Sequence, residues 1–129
     1  MTGSAALEGA LAADGPLAAV LPGYAPRPEQ LTMARAVADA IEQEKALVVE
    51  AGTGTGKTLA YLIPALQSGR RVIISTGTRT LQDQLFHRDL PVACAALDRP
   101  VRTALLKGRG NYLCLYRMER TLEAGRLES

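Results

Sequence analysis

A chain of 129 residues with 47% hydrophobic and 22% charged side chains has the size and balance of one soluble globular domain, and its net charge of +2 is too small to fix a partner. With no Trp, one Phe and four Tyr, a core must come from Ala, Leu, Val and Ile, which suits helices on a buried sheet better than a β-sandwich. Two cysteines without a CxxC pair, and one histidine, exclude both a disulfide framework and a metal site complete within the chain.

Residues 1–23 are rich in alanine and carry the breakers Gly15-Pro16 and Pro22-Gly23, so they read as a leader, mobile at its start, with one short helix at Leu17–Leu21. They lack a basic segment and an apolar stretch of signal-peptide length, and no span approaches the roughly 18 apolar residues of a membrane helix. The expectation is a cytoplasmic protein with no membrane partner.

From Pro28 the pattern changes. Leu31, Ala34, Val37, Ala38 and Ile41 recur at helical spacing, which predicts an amphipathic helix ending near Gln43. Ala46 to Glu50 is a short β-branched run and predicts a strand buried on both faces. Lys57 to Gln67 has helical character, although Pro64 predicts a kink or an early end. A second strand is expected at Arg71–Thr76, a second helix from Thr80 to Leu90 ending at Pro91, a third strand at Val101–Leu106, and a last helix at Leu113–Leu122. Strands alternating with helices imply an α/β fold with a parallel sheet joined by right-handed crossovers.

The charge is uneven along this order. Residues 1–69 hold four basic groups against seven acidic ones, and residues 70–129 hold eleven against six. The basic half suits a polyanion, and it suits equally well a solvated surface rich in arginine.

Between the first strand and the helix expected at Lys57–Gln67, and running into its first turn, lies Ala51-Gly52-Thr53-Gly54-Thr55-Gly56-Lys57-Thr58. Apart from Ala51 in place of its first glycine, this is the phosphate-loop pattern in its confirming context, a strand directly before and a helix directly after. The glycines let backbone N–H groups turn inward on an anion, and the helix directs its partial positive end at the same place. Lys57 would neutralise the β and γ phosphates of ATP, and the Thr58 hydroxyl would ligate the bridging Mg2+. No Asp-Glu pair closes an apolar strand in this sequence, so the loop argues for binding, and the chain by itself does not argue for hydrolysis.

Four segments in order resemble one family, the DinG/YoaA branch of the XPD-like, superfamily 2 iron–sulfur DNA helicases, from about Gly15 to about Gly125. Tyr24-Ala25-Pro26-Arg27-Pro28-Glu29-Gln30 is similar to its adenine-reading element, with Arg27 and Gln30 as the nucleotide contacts. An amide donates and accepts at once, which fits an adenine edge; read alone, Gln30 is an exposed first-turn residue. Glu50 to Thr58 has the helicase form of the loop, in which Ala51 is expected. Ile74 to Leu85 resembles the family's motif Ia, which implies contacts of Thr76 and Thr78 with the backbone of single-stranded DNA; without the family both are helix-capping residues.

Leu105 to Cys114 resembles the opening of the family's iron–sulfur domain. The resemblance makes Cys114 the first of four thiolates on a [4Fe–4S] cluster, whereas read alone it is a small buried hydrophobe, as Cys94 remains. The resemblance thus implies the incomplete N-terminal part of a first RecA-like P-loop motor domain: a leader (1–23), a partial ATP-binding domain (24–106) and the start of a cluster domain (107–129). It implies an ATP-dependent 5′-to-3′ helicase on single-stranded or forked DNA, acting in repair and in contact with a polymerase accessory subunit. The fragment alone is expected to be inactive. The rivals are a stand-alone P-loop nucleotide-binding or regulatory protein, and another P-loop enzyme such as a small-molecule kinase.

Overall fold

The computed structural model describes residues 2–52 and 56–125. In chain order it contains helices α1 (Thr2–Ala10), α2 (Pro16–Val20), α3 (Pro28–Gln43), α4 (Lys57–Gln67) and α5 (Arg79–Gln84). A π-helical turn (Leu85–Asp89), α6 (Leu90–Leu97), a 3-10 turn (Arg109–Asn111) and α7 (Leu115–Glu123) follow.

α3 begins as its sequence predicts, with Pro28 in the first turn, where the missing N–H costs no hydrogen bond. It ends at Glu44, whose left-handed backbone (φ 54°) lets its N–H close on the carbonyls of Ala40 and Ile41. α4 runs on through Pro64 to Gln67, so the expected early stop does not occur. The ring is buried in the helix layer, where packing of Ala60, Leu62, Ile63 and Ala65 outweighs one lost helical bond.

The helix expected to stop at Pro91 instead continues from α5 to Leu97. The Leu90 N–H reaches back five residues to Leu85, and this widened turn lets the chain pass a proline that would clash in a regular α-helix. The leader also carries more than the one helix expected. Leu7 and Leu11, one turn apart, are buried with Leu17 against Ala34, Ala60, Leu62, Ile63, Ala93 and Ala96. Arg35 closes on Glu8 at 2.5 Å, and the Gln67 side chain donates to the Ala6 carbonyl at 3.2 Å.

The core is therefore a helix layer, in which α3 packs on α4, α6 packs on α2 and α4, and α1 covers α3 and α4. The parallel sheet expected over it is not formed: no strand ladder occurs among the described residues. The three expected segments lie outside any helix and pair with no other strand among the described residues. Val48 is 95% exposed while its neighbours Leu47 and Val49 share a hollow with Val37, Ala40 and Ile41 of α3. Ile73 is likewise 92% exposed between the more sheltered Val72 and Ile74. This alternation is that of a strand with one face on helices. A cleft of about 870 Å³ lies along Val72–Thr76 and Val101–Leu106. Apolar surface is left open there because burial on both faces needs neighbours on both sides, and ladder bonds come from distant chain rather than from the run itself.

Candidate functional site

Glu50, Ala51 and Gly52 lead to the loop, and the described chain resumes at Gly56; Thr53, Gly54 and Thr55 lie outside the described residues. Gly56 caps α4 with a left-handed backbone (φ 76°, ψ 31°). The conformation favours glycine, and a Cβ there would in addition have to displace the Gln30 amide. The Ala60 N–H donates to the Gly56 carbonyl at 3.1 Å, and the amides of the turn before it are the orphan donors of a helix start.

Lys57 is exposed, and its Nζ donates to the Ala51 carbonyl at 2.9 Å, spanning the mouth of the loop. Thr58 is half-buried in the same first turn, in hydrogen-bond contact with the Tyr61 side chain. Burial pushes the Tyr61 phenol up, Thr58 draws it down, and the charge of Asp89 adds to the rise.

Gln30 is buried rather than exposed in the first turn of α3. Its Nε2 donates to the Gly56 carbonyl at 3.1 Å and its Oε1 accepts from the Tyr24 hydroxyl at 2.9 Å. The structure thus brings the Gln30 element to the rim of the glycine loop. Sequence reasoning missed Tyr24, although it stands in the same segment, six positions before Gln30. Arg27 caps the start of α3 in extended conformation, with its side chain exposed.

Thr78 caps α5, its Oγ1 accepting from the Leu81 N–H at 3.2 Å, as read from the residues alone. Thr76 donates to the Thr78 carbonyl at 3.2 Å within the same turn. Three contacts tie α5 to the Leu106–Tyr112 segment: Asp83 to Lys107 at 2.8 Å, Gln82 to the Leu106 carbonyl at 2.8 Å, and Arg79 to Asn111 at 3.1 Å. Cys114 is the exposed cap of α7, not a buried hydrophobe. Cys94 is half-buried on α6, where burial pushes its thiol up.

The described residues fit a triphosphate: the left-handed Gly56, a helix start and the exposed Lys57 lie together at one end of α4. Protein ligands for magnesium reduce to Thr58, because no group of three or more His, Cys, Asp or Glu able to hold a metal occurs among the described residues. For the same reason they do not fit an iron–sulfur cluster, which needs four thiolates. No helix among them is long and apolar enough to cross a membrane.

Comparison with known proteins agrees with this geometry. Residues 31–108, which hold the loop, α4 and the α5 segment, match the family described as DEAD/DEAH box helicase. The ATP-dependent DNA helicase YoaA of Escherichia coli (strain K12) is 59% identical over 114 residues, 88% of this chain and 18% of that protein. The ATP-dependent helicase DinG of Mycobacterium tuberculosis (strain ATCC 25618 / H37Rv) is 50% identical over 103 residues, 74% of this chain and 16% of its own. The protein named 3′-5′ exonuclease DinG in Bacillus subtilis (strain 168) is 44% identical over 110 residues, 82% of this chain and 12% of its own. The chain therefore spans less than a fifth of the length of these relatives. No solved structure matches it. With the family match over residues 31–108 and these relatives at 44% identity or more, the chain belongs to the DEAD/DEAH box helicase family, alongside proteins named YoaA and DinG.

Proposed function

We propose that this chain is the ATP-binding front of an ATP-dependent DNA helicase, a partial RecA-like motor domain over residues 24–106 with the opening of a further domain at 107–129. The observation that carries the reading is the left-handed Gly56 at the start of α4, with Lys57 folded across the loop mouth onto the Ala51 carbonyl. A neutral carbonyl is a weak partner for an ammonium group, and a triphosphate is a stronger one. Lys57 would exchange the first for the second, the amides at the start of α4 would donate to phosphate oxygens, and Thr58 would offer its hydroxyl to magnesium. Magnesium, when bound, supplies charge neutralisation across the β and γ phosphates. Ala51, Gly52, Thr53, Gly54 and Thr55 complete the loop in this reading, Gln30 faces the base, and Arg27 stands beside it.

The alternating exposure of Leu47–Val49 and Val72–Ile74 supports strands of a parallel sheet whose neighbours lie elsewhere. Translocation along single-stranded DNA from 5′ to 3′, a role in repair, and a contact with a polymerase accessory subunit are part of the same proposal, and they rest on the family resemblance. Thr76 and Thr78 are its DNA-facing candidates, beside Arg79 at the start of α5. Cys114, exposed at the head of α7, is offered as one ligand of a [4Fe–4S] cluster whose other ligands this chain does not contain.

The test is titration of a fluorescent ATP analogue against the full chain and Lys57→Ala. Loss of one charge-assisted phosphate contact should weaken binding by about ten- to a hundredfold, with the helical circular dichroism unchanged. Equal affinities would remove the loop from the nucleotide site.

A further inference from the structure

The Tyr24 hydroxyl lies between two acceptors, the Leu11 carbonyl at 2.8 Å and Gln30 Oε1 at 2.9 Å, and the Gln30 amide reaches on to the Gly56 carbonyl at 3.1 Å. Three contacts stand in a row, and two hydrogens serve them, the phenol O–H and one amide N–H. With the amide as placed, Nε2 fills the Gly56 contact, and the single phenol proton is shared between Leu11 and Gln30. Turning the amide over would let Nε2 donate to the phenol and free the proton for Leu11. It would also press Oε1 against the Gly56 carbonyl, acceptor against acceptor. The Gly56 carbonyl thus selects the amide sense, and the phenol proton reinforces it when it turns to Gln30 Oε1. Burial raises the Tyr24 phenol above its ordinary value, so the proton stays in place across the neutral range.

We propose that Tyr24 is a positioning residue of the purine site: its hydroxyl holds the Gln30 amide in the sense that ties Nε2 to Gly56, and so hooks the leader helices to the glycine loop. The inference rests on Gln30 facing the base. In that sense the amide keeps a second N–H and a second lone pair for the base edge. Adenine offers an amino donor beside a ring-nitrogen acceptor, whereas guanine offers two acceptors, and an amide of fixed sense tells them apart. The Tyr24 ring packs against the helix core, and phenylalanine would keep that packing.

The experiment titrates ATP and GTP analogues against the full chain, Tyr24→Phe, Gln30→Ala and the double variant. Tyr24→Phe should weaken ATP binding by about three- to tenfold, leave GTP binding nearly unchanged, and cause no further loss when added to Gln30→Ala. A merely structural tyrosine would weaken both nucleotides equally, in either background, and that result would overturn the proposal. So would unchanged ATP preference in Tyr24→Phe, or its failure to fold by circular dichroism. A wild-type chain that binds both nucleotides without preference would instead refute the reading of Gln30, and this proposal with it. A wild-type chain that binds neither would refute the nucleotide site itself.

Discussion

Gly56 holds the loop rim in place by two separate constraints, and a second glycine separates them. Gly69 has nearly the same left-handed backbone (φ 66°), but a Cβ there would meet nothing within 4 Å. Gly69→Ala should therefore cost only the backbone penalty of about 1 kcal/mol, while Gly56→Ala adds a collision with the buried Gln30 amide. Thermal unfolding of the two variants should place Gly56→Ala lower, and only Gly56→Ala should also lose nucleotide affinity. The start of α4 at Lys57, after a left-handed Gly56, was legible in the sequence because such residue types are dictated locally, by φ values. The burial of Gln30 was not, because it depends on Tyr24 and Gly56, and Gly56 lies 26 positions away.

At the scale of elements, α5 and the segment after Leu105 form a clamp in which side chains of Arg79, Gln82 and Asp83 each hold one point of the opposite strip. The Lys107 hydrogen bond holds the Asp83 carboxyl below its ordinary value; burial opposes it, and the charges of Lys107, His87 and Arg79 add to the lowering. With its folded value depressed, this contact contributes above the ordinary carboxylate value of about 4 and is lost as pH falls through the lowered one. The amide signals of residues 106–108 should therefore move with pH at a midpoint below about 4, and stop moving in Asp83→Asn. Helices were the elements the sequence specified best. The Pro28 start and Gln43 end of α3 match their apolar spacing, whereas the passage through Pro91 was hidden, because a π-helical turn leaves no mark in residue periodicity.

Across the whole molecule, stability resides in the helix layer. Leu62→Ala, at a fully buried position of α4, should cost about 2–5 kcal/mol in denaturant unfolding. Ile73→Ala, at a position 92% exposed, should stay within about 0.5 kcal/mol. Reversal of that order would place the core in the extended segments. The sheet was expected from these same β-branched runs, and the lack of any ladder among the described residues marks the limit of local reading. A run of valines and isoleucines specifies a strand conformation, but its partners must be supplied from elsewhere.

The open extended segments also give the chain a hazard in concentrated solution. Leu47-Val48-Val49 and Val72-Ile73-Ile74 are short β-branched stretches with backbone groups free of any ladder, the kind of template on which identical chains stack into cross-β fibres. Lys45 and Glu50 flank the first as charged ends of opposite sign, and Arg70 and Arg71 precede the second, where Arg70 pairs with Glu44 and Arg71 is the gatekeeper whose like charge keeps copies apart. Raising the salt concentration screens that repulsion within about 10 Å or less, so thioflavin fluorescence should grow faster with ionic strength, and faster still in Arg71→Ala.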